Sequence, residues 1–300
     1  YFQGGGACFN SPTCAQNPSK FGASDFAKVS AGGGTHGIFS RTDTKNSVAD
    51  WNMVFVPYCT GDIHVGNAPG QSVTGVGAQQ FVGYANVTHY LERLVPTFTG
   101  TTHILLTGES GGGFGSALNY DHVAKAWPGP QLDLLDDSGP LVPTGDTTTG
   151  LQACQVKQII SLWGLGSTLI DDCGADCSDQ GNALIGYWTH LGKTYPSAHF
   201  GLVESVADAT ISGFYGFGEN DCSGGFSSET PADFEKGLLD QRAAVASYSN
   251  MGSFLFPGTD HTSLSSTYTT RTAGADAGAG VVLEDWVTAL VGGSVTNAGP

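Results

Sequence analysis

The sequence predicts an α/β protein, with a mostly parallel central sheet flanked by helices. Three observations predict it. Short, continuously apolar runs alternate along the chain with longer amphipathic stretches, as strands buried on both faces alternate with crossover helices. Polar segments carrying Asp, Ser and His follow several of those runs, at the strand ends where open α/β sheets place ligands. One junction, Leu105 to Gly115, passes from strand to helix through Gly108-Glu109-Ser110-Gly111-Gly112.

Tyr1-Phe2-Gln3-Gly4 can be the scar of a cleavable tag, or the end of a strand followed by the loop Gly4-Gly5-Gly6-Ala7-Cys8. The second reading is preferred, and it puts the first strands of the domain upstream of residue 1. Residues 15–50 lack periodicity and read as a long surface loop with a helical turn near Phe26. Met53 to Tyr58 is a central strand. Ala78 to Pro96 reads as a helix, with Phe81, Ala85, Val87, Leu91 and Leu94 on one face and Pro96 as its stop.

The strand before Ser110 is His103 to Leu106, and Gly111 to Ala126 begins as a helix rich in small residues. Gln131 to Asp137, His199 to Ser205 and Met251 to Pro257 are further strands. Gln152 to Trp163, Gln180 to Leu191, Ala232 to Tyr248 and Val281 to Leu290 read as helices. Residues 139–195, after the sixth strand, form a lid-like insertion. No linker or composition break divides the chain, so residues 1–300 read as one domain.

Charged residues make up 13% of the chain and the net charge is −16. Such an acidic surface argues against nucleic acid and anionic membranes as partners. No run of about 18 apolar residues is present to span a bilayer. There are seven cysteines, Cys8, Cys14, Cys59, Cys154, Cys173, Cys177 and Cys222, without paired zinc-finger spacing. Disulfides in a secreted or periplasmic protein are expected, Cys8 and Cys14 being placed to close a small ring. Cys154, Cys173, Cys177 and Cys222 allow three connectivities. The odd count leaves one free thiol or a partner outside these residues.

Gly108-Glu109-Ser110-Gly111-Gly112 matches G-x-S-x-G, the nucleophile elbow of α/β-hydrolases, which lifts a serine above the sheet on a strained turn. The plain alternative is a loop that contains Ser by chance in a chain with 45 glycines. The flanking strand and helix favour the elbow. A serine needs a base, and the base a carboxylate, in the chain order Ser, acid, His. Of eight histidines, His261 alone follows a late strand closely. Asp208 follows the strand before it. Asp208 can equally be a helix N-cap, and Asp221, Asp136 and Asp137 are the competing acids. The oxyanion hole falls to the N–H groups of Gly111, Gly5 and Gly6. His64 and Trp163 are candidates to line a substrate pocket, with core packing as the alternative for each. No H-x-x-x-H or similar cluster points to a metal, so no metal and no cofactor are expected.

Gly4-Gly5-Gly6-Ala7-Cys8-Phe9-Asn10 with Cys14, Trp51 to Cys59, and the Ser110 elbow together resemble the pectin acetylesterase/Notum family of α/β-hydrolases. The resemblance is sharp in those motifs and loose after Gly139. It implies hydrolysis of oxygen esters by a triad of Ser110, Asp208 and His261. It implies a Cys8–Cys14 bridge and a partner for Cys59 upstream of the glycine loop. Gly6 and Ala7 stand where several relatives carry bulky aromatics, which widens the mouth of the site.

The expected function is a secreted, monomeric serine esterase that deacetylates a polysaccharide such as pectin. A polyester hydrolase, acting on a polyhydroxyalkanoate or an aromatic polyester, is the alternative among enzymes. A noncatalytic carbohydrate-binding module on a hydrolase scaffold is the alternative outside them.

Overall fold

The computed structural model describes all residues except 18–20, 33–34, 145–149, 218–221, 223–227 and 275–279. Its first helices are α1 (Ser11–Gln16) and α2 (Ala23–Gly32). α2 occupies a stretch expected to be mostly loop; Asp25 accepts the Gly22 N–H at 3.0 Å and caps its start locally. A hairpin follows, β1 (Ala68–Val73) and β2 (Gly77–Phe81), then α3 (Gly83–Thr97). The expected helix from Ala78 is therefore corrected over its first residues. Gly75 and Gly77, with φ of 78° and 99°, close a turn there, and Phe81 is buried as the end of a strand.

The central sheet is built from β3 (His103–Glu109), β4 (Gln131–Asp137), β5 (Phe200–Ser205) and β6 (Met251–Phe256), in that order and all parallel. α4 (Gly111–Leu118) and α5 (Tyr120–Ala126) connect β3 to β4. α6 (Ala153–Trp163), α7 (Leu169–Cys173) and α8 (Ala183–Thr194) lie between β4 and β5. α9 (Ala209–Tyr215) and α10 (Pro231–Ala244) lead to β6. Two short strands, β7 (Thr272–Ala273) and β8 (Val281–Val282), precede α11 (Leu283–Val291).

Extended segments widen the sheet. Phe2 is bridged in parallel to Val56 on one side and Gly108 on the other, and Ala298 is bridged to Phe254 at the far edge. Met53–Tyr58 pairs with Tyr1–Gln3 through three backbone hydrogen bonds, Tyr1 N to Val54 O at 2.8 Å, Val56 N–H to Tyr1 O at 2.8 Å and Gln3 N–H to Val56 O at 3.0 Å.

Both faces of the sheet are covered, which explains its continuous apolar runs. Leu134, Leu202 and Leu255 point into one buried cluster with α3, α6 and α8, while their neighbours Leu135, Val203, Phe254 and Phe256 point into another with α11. The period of two along a strand produces that division. Cys8–Cys14, Cys154–Cys222 and Cys173–Cys177 are disulfides, and Cys59 is free. No helix among the described residues is long and apolar enough to cross a membrane.

Candidate active site

Ser110 stands between β3 and α4 with φ 58° and ψ −125°, a backbone conformation that costs a non-glycine residue energy and marks a held turn. Its N–H is fixed by Asp137 O at 2.7 Å. The glycines on either side are required by crowding. A Cβ on Gly108 would lie 2.2 Å from Gly112 O, and one on Gly112 would lie 2.1 Å from Phe2 O.

His261 and Asp208 meet at the ends of β6 and β5. His261 Nδ1 is 2.6 Å from Asp208 Oδ2. Because an ionised carboxylate only accepts, Nδ1 carries the proton and Nε2 is left as the basic nitrogen. Nε2 is buried and has no hydrogen-bond partner among the described residues. Asp208 Oδ1 accepts the N–H groups of Thr210 at 2.7 Å and Ile211 at 2.9 Å, so this carboxylate is a helix N-cap as well. The two sequence readings of Asp208 are compatible because each uses a different oxygen.

The competing acids are placed elsewhere. Asp137 Oδ2 accepts the N–H groups of Ser263 at 2.8 Å and Leu264 at 2.7 Å, anchoring the loop that carries His261. Burial pushes its carboxyl up to about 7, against the pull of those two bonds. Asp136 is buried behind Gly113, its carboxyl raised well above the ordinary range by burial and by Asp137. Asp221 lies outside the described residues. A second tie joins the same loop to the elbow: Ser265 Oγ donates to Glu109 Oε2 at 2.7 Å.

The loop Gly4–Cys8 runs past Ser110, and the N–H groups of Gly5, Gly6 and Gly111 have no acceptor among the described residues. Two carbonyls of the loop are held by side chains, the first sharing its peptide plane with the Gly6 N–H. Asn17 Nδ2 donates to Gly5 O at 3.0 Å and Tyr58 Oη to Gly6 O at 3.0 Å. The Cys8–Cys14 bridge closes the loop, and Cys8 O accepts Trp163 Nε1–H at 3.0 Å. Donors fixed in advance stabilise an oxyanion without reorganising.

His64 lies under this loop, 3% exposed, and its Nε2 is 2.9 Å from Gln3 O. A carbonyl can only accept, so Nε2 is protonated and His64 braces the residue before Gly4. Burial holds its pKa down at about 4, so it stays neutral. Its neighbour Ile63 reaches the cavity beside Ser110 instead.

That cavity, ≈ 60 Å³, is lined by Ser110, Ile63, Trp163, Ile211, Phe214 and other apolar residues from α6, α8 and α9. Residues 139–195 thus wall it, through Leu151, Ile159, Trp163, Leu165 and Leu184. Phe214 sits over the glycine loop, its Cζ 3.0 Å from where a Gly6 Cβ would be. A larger cavity, ≈ 590 Å³, lies away from Ser110, between Trp51, Tyr90, Leu94 and Trp127. Size alone does not make it the site, since it holds no nucleophile and base pair. Among the described residues, no group of three or more His, Cys, Asp or Glu is arranged to hold a metal.

Phe214, Ile63, Asn17 and Tyr58 escape sequence reasoning because their roles come from packing across distant segments. The family model of the pectinacetylesterases matches residues 1–189, which include the glycine loop and the Ser110 elbow. The chain belongs to the pectinacetylesterase family.

It is 30% identical over 152 residues to palmitoleoyl-protein carboxylesterase NOTUM of Mus musculus, and equally to that of Homo sapiens. Each match covers 46% of this chain and 29% of the relative, so the chain spans less than a third of those proteins. The structure of the Wnt deacylase Notum from Drosophila superposes with a TM-score of 0.64 at 16% identity, over 98% of this chain and 85% of that one. At that identity the likeness is one of fold, and it extends the α/β-hydrolase architecture beyond the residues that the family model matches.

Proposed function

We propose that the chain is a serine carboxylic ester hydrolase that removes short acyl groups, acetyl above all, from a polysaccharide such as pectin. The observation that carries the proposal is the Asp208–His261 hydrogen bond of 2.6 Å, which leaves Nε2 as a buried base with no partner among the described residues, past the carboxyl ends of the strands where Ser110 also stands. His261 takes the Ser110 hydroxyl proton as Oγ attacks the ester carbonyl, and the N–H groups of Gly111, Gly5 and Gly6 receive the oxyanion. His261 then gives the proton to the leaving alcohol oxygen. Water, deprotonated by the same nitrogen, releases the acid and restores Ser110.

Family membership supports ester hydrolysis, and the cavity supports the short acyl group. The cavity beside Ser110 is small, about 60 Å³, which favours a short acyl group over the palmitoleoyl chain named in the NOTUM relatives. Three disulfides among the described residues support secretion into an oxidising compartment.

The test is a chain-length series of p-nitrophenyl acetate, butyrate and octanoate beside Ser110→Ala. The expected result is a steep preference for acetate that vanishes in the variant. Full activity in Ser110→Ala sinks the proposal, and a preference for octanoate sinks the short-acyl part of it.

A further inference from the structure

Behind the Asp208–His261 pair lies a second carboxyl that the hydrolytic scheme does not use. Glu204 is the penultimate residue of β5, in register with Leu255, and is fully buried. Its Oε1 accepts the Ser205 N–H at 2.8 Å. As an anion it would leave Oε2 without a donor among the described residues, a costly state for a buried charge.

The groups that face it make ionisation worse. Asp208 comes from the loop before α9 and Asp137 from the end of β4. Tyr215 of α9 sits in the combined field of Glu204, Asp136, Asp208 and Glu229. The nearby titratable base, His261, has its Nδ1 turned to Asp208. No Lys or Arg is in this group.

A proton on Glu204 resolves the conflict. Oε2, buried and otherwise unpartnered among the described residues, becomes a donor with the Asp208 carboxylate beside it as acceptor. Asp208 has room for it. A carboxylate offers about four acceptor positions, and Thr210, Ile211 and His261 take three of them. Burial first, then repulsion by Asp208 and the hydrogen bond to it, hold the Glu204 carboxyl well above its ordinary range.

We propose that Glu204 is a positioning residue, whose Oε2–H donates to Asp208 and fixes the carboxylate that in turn orients His261. The inference rests on the reading of Ser110, His261 and Asp208 as the catalytic set. Where rising pH removes that proton, the donor is lost, two adjacent carboxylates repel, and Asp208 is released from its place.

The experiment measures kcat and KM for p-nitrophenyl acetate from mildly acidic to alkaline pH, with melting curves, for the wild type, Glu204→Gln, Glu204→Leu and Ser110→Ala. The glutamine amide can donate in place of Oε2–H and cannot ionise. Glu204→Gln is expected to stay within about 3-fold of the wild-type kcat at neutral pH and to lose the alkaline decline. Glu204→Leu is expected to lose about 10- to 100-fold in kcat with KM little changed, the scale of one hydrogen bond to a charged group. A Glu204→Leu enzyme as active as Glu204→Gln overturns the inference, as does an alkaline arm shared by the wild type and Glu204→Gln. If Glu204→Leu does not melt cooperatively, the comparison of those two pH profiles decides alone. Full activity in Ser110→Ala overturns the underlying reading instead; an inactive Ser110→Ala beside indistinguishable Glu204 variants overturns only the inference.

Discussion

Asp208 divides its carboxylate between two tasks, Oδ2 at 2.6 Å from His261 Nδ1 and Oδ1 on the first N–H groups of α9. The division separates two substitutions that are usually treated alike. Asp208→Asn can keep an acceptor on the helix but turns an N–H toward His261 and inverts the imidazole tautomer. A kcat loss of about 10⁴-fold is expected, with melting little changed. Asp208→Ala should show the same kinetic loss and forfeit about 1 kcal/mol of capping. Measuring kcat and urea unfolding on both variants tests this; an active Asp208→Asn would mean that His261 does not depend on this carboxylate.

Asp137 gives the site a pH signature. Its carboxyl, ordinarily near 3.8, is pushed up to about 7 by burial, so between those values the folded chain keeps a proton that the unfolded chain releases. Stability therefore falls as pH rises through that window, by up to about 1.4 kcal/mol per pH unit for a full proton. Asp137→Asn keeps an acceptor for the Ser263 and Leu264 N–H groups and removes the ionisation. Its unfolding free energy, followed from about pH 4 to 7, should fall less steeply than the wild type by one proton's share. Parallel curves would show that Asp137 does not titrate there.

Much of this site was legible because its constraints are local. The glycines around Ser110 are dictated by contacts inside one turn, and His261 is identified by its order after the last strand. Asp208 was ambiguous for a physical reason, since the N-cap and the acid are one group. The hairpin at 68–81 was missed because its glycines act through positive φ while its Gln and Ser residues mimic an amphipathic surface. His64 points inward to Gln3 because packing from distant segments closes over it. Glu204 did leave a signal, a lone acid in an otherwise apolar run that ends four residues before Asp208, a pattern that needs a buried partner.

A second ionic network, remote from Ser110, has the same pH sense in a higher window. His190 is held between Asp121 at 3.3 Å and Asp176 at 3.2 Å, and the hydrogen bond to Asp121 raises its pKa above 6.5. The stability it adds is fully present below about pH 6.5 and is lost as pH rises through the folded value. Asp121 is shifted down, burial opposing and the bonds to His190 and Tyr195 prevailing, so its share is lost only in acid. His190→Gln should therefore cost stability in mildly acidic buffer and much less at alkaline pH. An equal cost at both, read from urea midpoints, would assign His190 a packing role alone.

Phe214 walls the cavity beside Ser110, and on the proposed reading it limits the length of acyl chain accepted there. It lines that ≈ 60 Å³ space and stands over Gly6. Replacing it by Ala removes the wall without touching Ser110, His261 or Asp208. A pocket discriminates by about 10- to 200-fold per methylene that does not fit, so Phe214→Ala should raise the octanoate-to-acetate ratio of kcat/KM by at least about 10-fold. Activity on acetate should persist, since the triad and the glycine loop are left in place. An unchanged chain-length profile in a folded Phe214→Ala would move the acyl group out of this cavity. The short-acyl assignment would then have to rest on another surface.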